Sequence, residues 1–226
     1  IMKIVVLAGG LSPERNVSLS TGTMVTEALR ALGHRAGLID MFFGLEGGRA
    51  DESFFDAPVP ESFKKISREA PDLAQIRASR PGDSKSVFGP GVLELCAMAD
   101  LVFLALHGTC GEDGKVQAAF DLMGIPYTGA GYLSSAIAMD KDLTKRMVAD
   151  VVNTPGWKTV EYKAEDIEGL VKTARLPLVV KPVASGSSIG VSIAYTADEL
   201  RKALTDGLSL GGRTVLEEYV KGREIQ

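Results

Sequence analysis

The residues best equipped for chemistry lie in 179–192, where Lys181 stands on an apolar run and Ser185, Gly186, Ser187, Ser188 and Gly190 follow it. Glycines let a backbone approach an anion, successive N–H groups and serine hydroxyls can cradle phosphate oxygens, and a lysine supplies a point charge. The glycines lead into Val191, Ile193 and Tyr195, an alternation that fits a strand. A Walker-type loop must instead open a helix, so a phosphate cradle between strands and an ordinary hairpin turn both stay open. Lys141, in Met139-Asp140-Lys141, begins a charged helical segment, where a solvated lysine is the ordinary outcome. In Val215-Leu216-Glu217-Glu218-Tyr219-Val220, with Glu224 beyond, an apolar run turns into carboxylates. These could accept from an adenine amino group and ribose hydroxyls, or simply charge a sheet edge.

Two further stretches carry chemistry nearer the start. Residues 8–20, Ala-Gly-Gly-Leu-Ser-Pro-Glu-Arg-Asn-Val-Ser-Leu-Ser, join a buried strand to a helix. Ligands of open α/β sheets bind at that carboxyl edge, where an acidic side chain such as Glu14 can receive an ammonium group. The glycines do not complete G-x-G-x-x-G, so a dinucleotide site has little support. Residues 107–114, His-Gly-Thr-Cys-Gly-Glu-Asp-Gly, form a second loop at the same edge, where His107 is either a local hydrogen-bonding residue or a site residue. Cys110 lacks a companion histidine at a nucleophile's spacing and reads as a packed small residue.

The elements that must position these groups follow from apolar periodicity. Residues 3–8 form a β-branched run suited to a strand buried on both faces, and a helix from Val17 carries Met24, Val25, Ala28, Leu29 and Leu32 on one stripe up to Gly33. Residues 37–40 and 101–106 are further strands, 116–123 a helix capped by Gly124, and 125–129 a short strand and turn. Residues 41–90, punctuated by glycine and proline, read as an insertion laid over a sheet edge, with no chemistry assigned. This alternation predicts a parallel, Rossmann-like α/β domain over 1–130.

Beyond it the pattern changes. A helix over 133–152, a break at Pro155-Gly156, strands at 158–161, 178–182, 189–195 and 213–220, a helix striped by Ile167, Leu170, Val171 and Ala174, and a capping box at 196–199 opening another predict an α+β unit over 131–226.

The chain of 226 residues is 45% apolar and 24% charged, which excludes wholesale disorder, and a net charge of −4 without a block of like charges argues against a clustered basic surface for nucleic acid. No run approaches the roughly 18 apolar residues of a membrane span, and the first residues lack a signal-peptide pattern. A cytoplasmic protein without nucleic-acid or membrane partners is expected.

Taken in order, Leu7-Ala8-Gly9-Gly10-Leu11-Ser12-Pro13-Glu14-Arg15, Leu106-His107-Gly108 with Gly111-Glu112-Asp113-Gly114, Pro126-Tyr127-Thr128-Gly129, Met139-Asp140-Lys141, Val180-Lys181-Pro182 with Gly186-Ser187-Ser188-Ile189-Gly190, and Glu217-Glu218-Tyr219 resemble the D-alanine–D-alanine ligases of the ATP-grasp superfamily. The resemblance implies a pre-ATP-grasp domain followed by the first lobe of an ATP-grasp fold, and ATP-dependent joining of two D-alanines through a D-alanyl phosphate. It implies that Lys141 and Lys181 contact the ATP phosphates and that the Ser187-Ser188 loop closes over them. Glu217, Tyr219 and Val220 would line the adenine pocket, and Glu224 would bind ribose. Glu14 would hold the first D-alanine's ammonium and hydrogen-bond Ser187, with Val17 and His107 beside that substrate. Glu14 and Ser187 would thus serve the catalytic centre.

Asn16 stands where the family often has a second glutamate, and Ala184-Ser185 replaces a common Arg-Glu pair. The sequence stops at Gln226, just after the adenine-pocket strand, so the resemblance implies a truncated ATP-grasp. The magnesium ligands are then expected in a missing C-terminal portion, with no metal ligands in this chain and no turnover by it alone. A D-alanine–D-serine or D-alanine–D-lactate ligase is the near alternative, and a non-catalytic nucleotide- or amino-acid-binding module the alternative if Gln226 is the native end. Related ligases are commonly dimers, so a homodimer is expected.

Overall fold

The computed structural model describes residues 1–64, 71–82, 85–186, 188–223 and 225. The chain divides into two compact units, Ile1–Ala136 and Ile137–Gln226.

In the first unit, strands β1 (Lys3–Ala8), β2 (Arg35–Asp40) and β3 (Leu101–Leu104) form a parallel sheet in the order β2-β1-β3. β1 is central and buried on both faces. Val5 and Leu7 point into a core with Val92, Leu95 and Phe120, while Ile4, Val6 and Ala8 join Ala36, Leu38 and Ala105 on the other side. Helix α1 (Arg15–Ala31) covers this second face. It starts two residues before the expected Val17, and its stripe is only half as predicted. Val25 and Leu29 pack inward, but Met24 and Leu32 are 61% and 76% exposed. The buried face is instead Ser18, Gly22 and Thr26, because the helix lies too close to the sheet for larger groups. A Cβ on Gly22 would stand 2.7 Å from Leu38 Cδ1 and 2.8 Å from Ala8 Cβ.

The insertion after β2 contains 3-10 turns and helix α2 (Leu73–Ser79), and it supplies core as well as cover. Met41, Phe42 and Phe55 are fully buried, Phe54 packs on Gly37 of β2, and Arg35 pairs with Glu52 and Asp56 across that outer strand. Helices α3 (Val92–Met98) and α4 (Lys115–Met123) bury Val92, Leu95, Val116 and Phe120 in the same core. The expected strand at 101–106 ends at Leu104, and the short strand and turn expected at 125–129 has a single parallel bridge from Tyr127 to Val102.

The helix expected over 133–152 is two, α5 (Tyr132–Met139) and α6 (Lys141–Val148). Asp140 separates them: its carboxylate accepts from Leu143 N at 2.9 Å, an N-cap that starts a new helix. Strands β4 (Trp157–Glu161), β5 (Leu178–Pro182), β6 (Ser192–Ala194) and β7 (Arg213–Glu218) form an antiparallel sheet ordered β4-β7-β5-β6. Helices α7 (Ile167–Thr173) and α8 (Ala197–Leu208) cover one face, burying Ile167, Leu200 and Leu204 against Val160, Val180 and Leu216. The predicted capping box is present, with Thr196 Oγ1 accepting from Glu199 N at 3.2 Å. β6 is shorter than the expected 189–195 because Ser188 and Gly190 take left-handed φ of 57° and 74°, which an extended strand does not allow.

Candidate functional site

In the N-terminal unit the loop between β1 and α1 is held by the protein's own groups. Arg15, 6% exposed, donates to Gly10 O at 2.7 Å and forms a close ion pair with Asp40, itself 2% exposed. Asp40 Oδ1 also accepts from Phe42 N (2.8 Å) and Phe43 N (3.1 Å). The Ser18 hydroxyl accepts from Gly9 N at 2.8 Å and donates to Ala105 O at 2.7 Å, tying the loop to the chain beyond β3.

Ser12 joins this loop to the histidine loop. Its hydroxyl donates to His107 O at 2.8 Å and accepts from Glu14 N at 3.2 Å. Glu14 is the N-cap residue of α1, and its carboxylate lies against Gly108, where a Cβ would stand 2.5 Å from Oε2. His107 Nε2 lies 3.3 Å from Thr21 Oγ1. Glu14, Val17 and Thr21 fall on one side of α1 by helical spacing, and Val17 is 55% exposed. The two predicted loops are therefore brought together, and Glu14, Val17 and His107 share one region. Ser12 and Arg15 stand in the first block of the resemblance without a role, and Asp40 and Thr21 carry no signal in the sequence, although the small residues Ser18, Gly22 and Thr26 at four-residue spacing mark the helix side that meets the sheet.

Cys110 is half-buried, and burial pushes its thiol up; Cys96, buried in the core, is pushed up to about 12. Neither is poised as a thiolate nucleophile.

In the second unit the sheet face opposite α7 and α8 carries the lysines. Lys141, first residue of α6, donates from its backbone N to Val183 O at 3.0 Å and from Nζ to Ser185 O at 2.6 Å. Burial and then the neighbouring charge of Lys181 lower its pKa below the usual lysine value. Lys181 on β5 donates to Glu217 Oε1 at 2.7 Å, and Glu217 Oε2 pairs with Lys145 at 2.9 Å. Burial works against the Glu217 anion, yet the two ammonium groups together hold its carboxyl below the usual range.

Lys145 follows Lys141 by one helical turn, the sequence signal that could have drawn attention to it. Asp142, on the same helix, accepts from Trp157 Nε1 (3.0 Å), Thr159 Oγ1 (2.7 Å) and Arg146 Nε (3.0 Å), and these bonds hold its pKa at about 2 against the opposing effect of burial.

Ser188 is exposed beside the lysines' loop, and Val220 is 62% exposed. Tyr219 lies just past β7, edge-on to Tyr195 with ring centres 5.6 Å apart. It also lines a cavity of about 630 Å³ with Trp157, Leu176, Leu216 and Glu218. Leu170, Leu178 and Leu216, which pack on the core face, line it as well. Ser187 and Glu224 lie outside the described residues. Among the described residues no cluster of three or more His, Cys, Asp or Glu could hold a metal ion, and no helix is long and apolar enough to cross a membrane.

A family profile described as D-ala D-ala ligase N-terminus matches residues 3–130, and one described as D-ala D-ala ligase C-terminus matches 148–226. The D-alanine–D-alanine ligase of Lacticaseibacillus casei (strain BL23) is 43% identical over 227 residues, covering 99% of this chain and 63% of that protein. That of Aquifex aeolicus (strain VF5) is 34% identical, covering 99% and 61%. Among solved structures, the D-alanine–D-alanine ligase from Bacillus anthracis complexed with ATP is similar with a TM-score of 0.64 at 28% identity, covering 98% of this chain and 60% of that one. The ligase from Coxiella burnetii gives 0.63 at 26%, covering 97% and 64%. The chain thus spans about three-fifths of the length of these relatives. The parallel sheet, the antiparallel sheet and both profiles lead to one conclusion: the chain belongs to the D-alanine–D-alanine ligase family, with an α/β unit followed by part of an ATP-grasp fold.

Proposed function

We propose that the protein is an ATP-dependent D-alanine–D-alanine ligase that supplies the dipeptide for peptidoglycan precursors in the cytoplasm, working as a homodimer. Residues 1–130 receive the first D-alanine and 131–226 contribute to the ATP site. The observation that carries this reading is the pair of lysines beside the Ser185 loop: Lys141 Nζ donates to Ser185 O at 2.6 Å, and Lys181, which donates to Glu217, is near enough that its charge disfavours that of Lys141. Two like charges held together are costly until an anion joins them, and a polyphosphate is such an anion.

Glu14 receives the ammonium of the first D-alanine, with His107 and Val17 beside it. That substrate's carboxylate oxygen forms a bond to the γ-phosphorus, the bond to the β-γ bridging oxygen breaks, and ADP leaves. The amine of the second D-alanine then attacks the acyl carbon, loses a proton and expels phosphate. Lys141 and Lys181 counter the charge on the phosphoryl oxygens during the transfer. Magnesium, whose ligands are not gathered as a group of three or more acidic, histidine or cysteine side chains among the described residues, would neutralise phosphate charge when bound.

The test is phosphate release by the full-length protein. It should require ATP, magnesium and D-alanine together, with a product of the mass of D-alanyl-D-alanine. Equal rates with L-alanine would overturn the assignment.

A further inference from the structure

Lys145 has no role in the reading above, yet it is more enclosed than Lys181, its side chain 12% exposed against 27%. Its ammonium closely contacts Thr154 Oγ1 and reaches Pro155 O at 3.2 Å and Glu217 Oε2 at 2.9 Å. An ammonium has three protons to donate, so these three acceptors use them all. The ammonium also lies 4.9 Å from the centre of the Trp157 ring, a further electrostatic hold. Lys145 is therefore spoken for and is no phosphate ligand. Lys181, by contrast, donates to Glu217 as its one hydrogen-bond partner among the described residues.

We propose that Lys145 is a positioning and specificity-determining residue of the nucleotide site: it keeps Glu217 ionised and in place when phosphate draws Lys181 away, so that the freed Oε1 accepts from an adenine amino group. The inference rests on the nucleotide reading of the lysine face. Glu217 is only 7% exposed, and each oxygen is held by one lysine. Once Lys181 turns to phosphate, Lys145 is the counter-charge that stays. Without it burial acts unopposed and shifts the enclosed carboxyl towards its protonated, donating form, which suits a base carrying a carbonyl in place of the amino group.

The experiment measures ATP and ITP binding to the full-length protein by calorimetry, without D-alanine. Lys145→Met should weaken ATP binding about tenfold, the loss of roughly one charge-assisted hydrogen bond, and ITP binding far less. The preference for ATP over ITP therefore narrows. Lys145→Arg, which keeps the charge, should retain most of that preference. Folded Lys145→Met with wild-type affinities, or with both nucleotides weakened in equal proportion as a purely structural role requires, overturns the proposal. Should Lys145→Met not fold, Lys145→Gln keeps a donor without the charge and carries the same comparison. Wild-type protein that binds ATP but makes no dipeptide overturns the D-alanine reading and leaves this test standing; wild-type protein that binds no ATP overturns both.

Discussion

In the N-terminal unit, Arg15 and Asp40 face each other at 6% and 2% exposure, and backbone groups occupy what the pair leaves over. In the second unit, Glu217 is divided between two lysines, one of them 27% exposed. The first arrangement is closed and holds a loop in shape. The second leaves one cation partly exposed, which the proposed nucleotide site would use. A buried ion pair and a shared carboxylate thus differ in kind: one is closed on all sides, and the other leaves a cation within reach of solvent.

The sharpest way to break this contrast is Arg15→Met. Stranding Asp40 without its partner should cost about 3–5 kcal/mol, read as a lowered urea midpoint. The double variant Arg15→Met with Asp40→Leu should recover much of the loss, because no charge is left buried. A loss below about 1 kcal/mol, the size of a surface pair, would mean that the N-terminal pair is not a closed structural element.

Next in size are Glu14→Gln and Lys181→Ala in the full-length protein, each removing one charged hydrogen bond of about 1.5–3 kcal/mol. Glu14→Gln should raise KM for the first D-alanine about tenfold or more with ATP little changed, and Lys181→Ala should do the reverse. Variants that move both KM values equally would erase the division of labour.

The smallest effect sharpens the contrast through Asp142, whose hydrogen bonds hold its pKa at about 2. A depressed carboxyl stabilises the fold above its unfolded pKa, and that contribution fades as pH falls from roughly 4 towards 2. Asp142→Asn should therefore be less stable than wild type near neutrality, the gap shrinking across that acidic window in pH-dependent denaturation. A gap independent of pH would show that the carboxylate's charge is not what Trp157 and Thr159 hold.

The sheets were legible because parallel and antiparallel strands differ in pattern: β1 reads as a continuous apolar run, and β5 and β7 as short runs between turns. The inward side of α1 was not, since Ser18, Gly22 and Thr26 are polar or small and apolar periodicity points elsewhere. The break at Asp140 was hidden inside a helical pattern because an N-cap aspartate mid-run looks like any exposed acid. The loops of the candidate site stand out in the sequence as glycine- and serine-rich blocks, but the residues that stabilise them do not. Arg15 and Asp40 are 25 positions apart, Ser12 and His107 are 95 apart, and such pairings exist only after folding.

Gly9-Gly10, at the end of a buried strand, looks like the opening of a phosphate-binding loop. Gly9 has φ of 74°, and a Cβ there would stand 2.5 to 2.9 Å from the carboxyl atoms of Asp40. The anion that this glycine admits is the protein's own. A pattern search that scores such strand-end glycines as nucleotide signatures would be misled here: the loop is already occupied by an internal mimic of the ligand, and the same steric bareness that elsewhere welcomes a phosphate has been turned to architecture.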